Sequence, residues 1–235
     1  MKNIVLSIFC FFNLYLVFGQ ETATETKEDI VVDSLYREDQ FYVGLTYNII
    51  LNRPNDVSQS GFAGGLHFGF TRDMPINKRR NVAVALGIGY SLNVYNHNLR
   101  VGEEDQSTGI SEFSSLKGVD FNTNRFTTHL VEAPLEFRWR TSVPESHKFY
   151  RIYTGLRMGY MHYFRSSFRG VDSVKRTNIG ELERWRFGAT FTFGWNTFNF
   201  HFYYSLNSLF TNDAVIDGEQ VGINPAKVGL IFYIL

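Results

Sequence analysis

From Gln40 to the end of the chain, large apolar residues alternate with small, polar or charged ones, and the alternation has the period of two that belongs to a β-strand with one face in an apolar medium. Eight such stretches can be read. In the first, Phe41, Val43, Leu45, Tyr47, Ile49 and Leu51 share one face, against Tyr42, Gly44, Thr46 and Asn48. In the second, Phe62, Leu66, Phe68 and Phe70 oppose Ala63, Gly65, His67, Gly69 and Thr71. The third sets Val82, Val84, Leu86, Ile88, Tyr90 and Leu92 against Ala83, Ala85, Gly87, Gly89 and Ser91. The remaining five run over residues 131–139, 150–160, 184–195, 198–207 and 227–234, with apolar faces led by Leu135, Leu156, Phe191, Phe200 and Leu230. Each is long enough for the roughly 9–11 residues that a tilted strand needs to cross a bilayer.

The same alternation would suit a soluble secreted β-sandwich with its apolar face turned inward. Two features favour a membrane barrel with that face turned outward. Nearly all strand glycines, among them Gly44, Gly69, Gly89, Gly155, Gly188 and Gly229, fall on the polar face. There they relieve crowding in a narrow eight-stranded interior, whereas on a solvated face they would weaken the strand for nothing. Aromatic residues also gather at strand ends, Trp139 and Tyr150 around one turn and Trp195 and Phe198 around another, as an interface girdle does. The pattern predicts an all-β fold, an eight-stranded antiparallel transmembrane β-barrel over residues 40–235.

The connections alternate in length. Those near residues 72–80, 141–148 and 196–197 are short, and those near 52–60, 95–125, 166–180 and 211–224 are mostly longer. Outer-membrane barrels have short periplasmic turns and longer outer loops, so an even strand number leaves both termini in the periplasm. The longest connection, 95–125, is a candidate binding element. The N-terminal residues agree with export. Lys2 precedes an apolar run over residues 4–18 and then Gly19-Gln20, which reads as a signal peptide over residues 1–19, cut after Gly19 with Val17 and Gly19 at the small-residue sites. An uncleaved anchor helix is the alternative, but the run is short for a spanning helix. Residues 20–39, polar and mostly acidic, read as a periplasmic lead segment.

Composition now acquires a meaning. Aromatic residues form 17% of the chain, with 23 Phe and 13 Tyr, more than an evident soluble core would hold; a lipid-facing wall accounts for them. The single Cys, Cys10, lies inside the expected signal peptide, so disulfides are not expected. The 23 basic and 23 acidic side chains cancel, which argues against a nucleic-acid partner.

Charge on the polar face is the one candidate for chemistry. Glu132, Glu136, Arg138, Arg140, Arg151, Arg157, Arg184 and Arg186 would cost a few kcal/mol each, or about that, in lipid near mid-membrane, so they are expected to face inward. A narrow interior cannot solvate them, and buried charges need partners. We expect an interior network of Glu132, Glu136, Arg138, Arg157, Arg184 and Arg186 in which Glu132 and Glu136 are bound by Arg157 or Arg138. Arg140 and Arg151 lie close to a turn and are expected to meet water or headgroups. Six arginines against two glutamates leave an excess that outer-loop acids or the acidic lead segment could balance. An anion path is the functional alternative to a packed polar plug. The six histidines (67, 97, 129, 147, 162 and 201) show no close metal-ligand spacing, and no nucleophile elbow occurs. Asp120-Phe121-Asn122-Thr123-Asn124 starts like a calcium loop but has Arg125 where Gly belongs and Val131 where the bidentate Glu belongs. His67 and His201 share the polar face, and a hydrolase could assemble Ser, His and Asp from separate strands. The residues themselves give no catalytic, cofactor or metal site.

The stretch Val131-Glu132-Ala133-Pro134-Leu135-Glu136-Phe137-Arg138-Trp139-Arg140-Thr141-Ser142, followed by His147-Lys148-Phe149-Tyr150-Arg151-Ile152-Tyr153-Thr154-Gly155, resembles the PorT family of Bacteroidetes outer-membrane proteins. The Glu-x-Pro-Leu-Glu start is common to many small barrels of that phylum; the Phe-Arg-Trp-Arg-Thr-Ser continuation and the following Lys-Phe-Tyr-Arg-Ile-Tyr are more particular to PorT. The resemblance implies an accessory role in type IX protein secretion and, in gliding species, in motility. It implies contact with outer-membrane lipids and other envelope proteins of the secretion system, and no enzymatic residues or cofactor. A passive small-solute or anion pore of the same fold is the alternative.

Overall fold

The structure, a computed structural model of the chain, describes residues 39–141, 150–196 and 198–234. The expected signal peptide and residues 20–38 of the lead segment lie outside them. All eight alternating stretches form strands: β1 (Gln40–Leu51), β2 (Gly64–Pro75), β3 (Val82–Asn96), β4 (Thr123–Arg140), β5 (Tyr150–Arg169), β6 (Trp185–Trp195), β7 (Phe198–Ser205) and β8 (Asn224–Ile234). Each pairs antiparallel with its neighbour in sequence. β8 returns to pair with β1, Phe41 facing Ile234 and Leu51 facing Asn224, which closes the barrel. Closure satisfies the backbone groups that lipid cannot.

The register puts one residue set outside and the other inside. On β7, Phe198, Phe200, Phe202 and Tyr204 are exposed while Asn199, His201, Tyr203 and Ser205 are buried. Outward Phe193 stacks on Phe200 at 5.3 Å across the β6–β7 pair. The wall has aromatic borders. Trp139, Tyr150 and Trp195 mark the end with short turns, and Tyr160, packed on Trp185 at 5.1 Å, marks the other. Tyr150 and Tyr160 are ten residues apart on one strand, which is about 33 Å along it and about 25 Å in height at a tilt near 40°. That matches the apolar band of an outer-membrane barrel.

Beyond that border the polarity of the two faces inverts. On β4 the outward residues change from Val131, Leu135, Phe137 and Trp139 to His129, Thr127 and Arg125, while the inward ones change from Glu132, Glu136, Arg138 and Arg140 to Leu130 and Phe126. β3, β4 and β5 therefore project past the bilayer, and β4 and β5 run well beyond the expected limits of 131 and 160. The period-two pattern continues there with its sense reversed, because water has replaced lipid outside.

Inside the projecting part lies the main apolar core. Ile50, Tyr95, Phe126, Leu130, Met161 and Phe164 from the strands meet Val57, Leu99, Phe113, Leu182, Phe210 and Ile223 from the long connections 52–63, 97–122, 170–184 and 206–223. Phe126 is the hub, 5.1 Å from Phe164 and 5.7 Å from Phe210. The connections carry structure of their own. Leu99–Glu104 pairs with Ser111–Ser115, and Ser173–Thr177 adds to β5. Val215–Ile216 pairs with Glu219–Gln220 through Asp217 and Gly218, both at positive φ as a tight hairpin turn requires. Loop-to-loop hydrogen bonds tie them together: Asn98 N–H to Ser58 O at 3.1 Å, and Thr211 N–H to Glu181 O at 2.8 Å. The candidate binding loop 95–125 is thus part of a cap over the barrel mouth.

His97 is fully buried in this cap beside the Phe126 ring, its Nδ1 accepting from the Leu99 N–H at 3.1 Å. Burial drives its pKa down to about 3. The folded cap keeps His97 neutral while the unfolded chain takes a proton below about pH 6.5, so stability contributed by this site is full above pH 6.5 and falls progressively down to about pH 3. Amide protection factors in the cap are expected to drop between pH 7 and pH 4, with a shallower drop in His97→Gln; equal slopes in the two proteins would contradict the assignment.

Candidate functional site

Below the cap, the inward side chains at membrane depth are mostly polar or charged and buried. Two close approaches explain where glycine is required. Tyr42 lies against Gly69 and Gly89, and a Cβ at Gly69 would stand 2.7 Å from the Tyr42 ring; Tyr203 covers Gly188 in the same way. The large residues of β1 and β7 fit only because β2, β3 and β6 present no side chain there.

The charges occupy the remaining space as two clusters. Toward the short-turn end, Arg138 donates from Nε and Nη2 to Glu136 Oε2 at 3.0 and 2.9 Å, and from Nη2 to Thr71 Oγ1 at 2.7 Å. Arg138 Nη1 also reaches Asp73 at 3.4 Å. Asp73 is held bidentately by Arg140, at 3.0 and 2.8 Å. The guanidinium of Arg138 lies 4.7 Å over the Tyr153 ring, and that of Arg151 lies 5.5 Å over Tyr233. Arg138, Arg140 and Asp73 are wholly inaccessible to water. Toward mid-barrel, Arg157 meets Glu132 at 3.3 Å, and Glu132 accepts from the Ser91 hydroxyl at 2.6 Å. His67 bridges Ser91, at 2.7 Å, and Thr46, at 2.9 Å. Lys227 sits 4.7 Å over the Tyr203 ring.

Of the six residues expected to form the network, Glu132, Glu136, Arg138 and Arg157 stand in it as these two pairs. Arg186 is buried inside, but its partners are neutral: it donates to the Ser205 hydroxyl at 2.6 Å and to the carbonyls of Asn207, at 2.9 Å, and Ser208. Arg184 lies outside the network. It precedes β6, is half-buried at the cap, and reaches the Met161 carbonyl at 3.4 Å. Arg140, expected to meet water or headgroups, is instead sealed inside by Asp73. Asp73, in a segment with the composition of a turn, joins the network, and Thr71, on the polar face of its stretch, accepts from Arg138. β2 runs on to Pro75 past the expected limit at Thr71, and the same inward phase carries Asp73 to Arg140. The arginine excess is correspondingly smaller than six against two.

Ser91, His67 and Glu132 have the composition of a hydrolytic triad, but their arrangement differs. The Ser91 hydroxyl donates to Glu132 and not to the imidazole, so the serine-to-histidine hydrogen bond that defines a triad is absent. All three are buried. Among the described residues no group of three or more His, Cys, Asp or Glu side chains could hold a metal ion.

Removing one member of a buried pair leaves the other uncompensated, which costs about 3–5 kcal/mol, whereas replacing both with apolar groups is near neutral. Asp73→Ala should therefore lower the urea midpoint of the barrel in lipid vesicles sharply, and Asp73→Ala/Arg140→Met should recover much of the loss. Equal midpoints for wild type and Asp73→Ala would contradict the pairing.

A family model described as an outer membrane protein beta-barrel domain matches residues 18–211, a span that includes the first seven strands. No curated protein and no solved structure matches the chain.

Proposed function

The chain belongs to the outer membrane β-barrel family, and we propose that it is a non-conducting barrel of the outer membrane that works through protein contacts, as an accessory component of type IX secretion. The long-loop cap would face outward and both termini the periplasm. The observation that supports a contact role is an interior shut at both ends: Arg138, Arg140 and Asp73 are fully buried at one end, and an apolar cluster built from all four long loops lies at the other. A solute path would need an open, hydrated interior, and an enzyme would need an accessible nucleophile. What remains available to a partner is the outer surface, a rigid cap on a lipid-embedded cylinder. The type IX assignment rests on the resemblance of residues 131–155 to PorT sequences, which implies partners among the envelope proteins of that system.

Deleting the gene should leave the outer membrane intact and hold secreted cargo inside the cell, with export restored by the wild-type copy. The purified protein should be silent in planar bilayers. Normal cargo release in the deletion strain would overturn the secretion role, and stepwise conductance would replace the closed barrel with the pore.

A further inference from the structure

The outer surface just beyond the apolar wall carries an arrangement that neither the fold nor the interior explains. Ser167 on β5 faces Arg125 of β4 on one side and Lys175 of the added Ser173–Thr177 strand on the other. Arg165 and Arg169 stand two residues before and after it on the same face. Neighbouring strands are about 4.8 Å apart and alternate residues about 6.7 Å, so four cationic side chains surround one hydroxyl. They line a concavity of roughly 470 Å³ together with Thr123, Thr127, Ser173 and Tyr163, and no carboxylate lines it. None of the four forms an ion pair among the described residues, although adjacent Arg176 does, with Glu104 at 3.4 Å. Like charges gathered on paired strands repel. A cluster left without internal acids, and rich in donors that fork around oxygen, is complementary to an external oxyanion.

Depth identifies the source of that anion. On the same wall, directly below, Tyr90 O–H is hydrogen-bonded to His129 at 3.0 Å and to His162 at 2.9 Å, and the Tyr160–Trp185 pair lies beside them. Such amphipathic rings sit at headgroup level. Beneath them Val131, Leu135 and Met158 are exposed and apolar. We infer that this concavity binds the phosphate of a phosphorylated glycolipid headgroup in the outer leaflet, with the acyl chains lying along Val131, Leu135 and Met158. The inference rests on the outward orientation of the cap proposed above.

The full-length protein, purified and reconstituted with equimolar phosphorylated and dephosphorylated lipid A, is to be assayed for retained lipid by native mass spectrometry. The phosphorylated form should be retained about tenfold or more over the other, and Arg165→Gln/Lys175→Gln should abolish that preference, since surface cations near a membrane attract anionic headgroups. Arg53→Gln/Lys117→Gln, which removes loop cations elsewhere, should leave it unchanged. Equal retention of the two lipids, an unaltered preference in Arg165→Gln/Lys175→Gln, or displacement by millimolar inorganic phosphate would overturn the inference. So would equal retention of phosphatidylglycerol. Orientation is read separately, by labelling Gln106→Cys in intact cells with a membrane-impermeant maleimide. Labelling supports the outer-leaflet source. Lipid selectivity without labelling overturns it and the orientation together, while labelling without selectivity overturns the lipid site alone.

Discussion

An ionisable side chain on a membrane-spanning strand has two places to go, lipid or the barrel interior, and lipid is the costlier by a few kcal/mol, or about that. With eight strands the interior is too narrow to bring water along. The inward charges therefore have to be arranged as a core, by the same rules of volume and satisfaction that govern an apolar one. Much of the lower half of this molecule follows from that requirement. Asp73 and Glu136 stand where Arg138 and Arg140 can reach them. Tyrosines lie beneath guanidinium planes, and glycines open the room those tyrosines occupy. Arg186, with no carboxylate partner among the described residues, is held by carbonyls and a hydroxyl at the top of the same interior.

The upper half obeys the opposite rule. Once the strands leave the bilayer, water is outside and the inside can be apolar. Leu130, Phe126 and Phe164 replace charge on the inward face, and the long loops fold down onto them. The molecule thus carries two cores of contrary polarity stacked along one axis: a polar one where the surroundings are apolar and an apolar one where they are wet. The inversion between His129 and Val131 fixes where the membrane stops, and it is why a basic cluster can stand on the outer wall above that level.

The strands were legible because period two depends only on neighbours along the chain. The Glu132–Arg157 and Glu136–Arg138 contacts were within reach of the same reading, since both follow from face and approximate height. Asp73 lies in Arg72-Asp73-Met74-Pro75, which has the composition of a turn, although the phase set by Thr71 points it inward. Arg184 shares the phase of Arg186 in the sequence, but β6 begins only at Trp185, so Arg184 stands at the cap. The cap was not legible at all. Its members come from four connections far apart in sequence and share no period, so Phe113, Leu182 and Phe210 meet only in three dimensions. The basic cluster around Ser167 is hidden for a related reason: the apolar side of the alternation stops near residues 131 and 160, before the strands themselves do.

On the contact role proposed above, a closed interior leaves the outer surfaces as the working parts, and water access to that interior is the quantity on which the account turns. The direct measurement is the exchange of guanidinium protons with water, followed by NMR on arginine-labelled protein in lipid bilayers. Arg138, Arg140 and Arg157 should give Nε–H signals that exchange slowly and show through-space contacts to the Glu136, Asp73 and Glu132 side chains. Guanidinium signals that exchange with water as fast as those of the exposed Arg125 would mean a hydrated interior and would contradict the closed barrel.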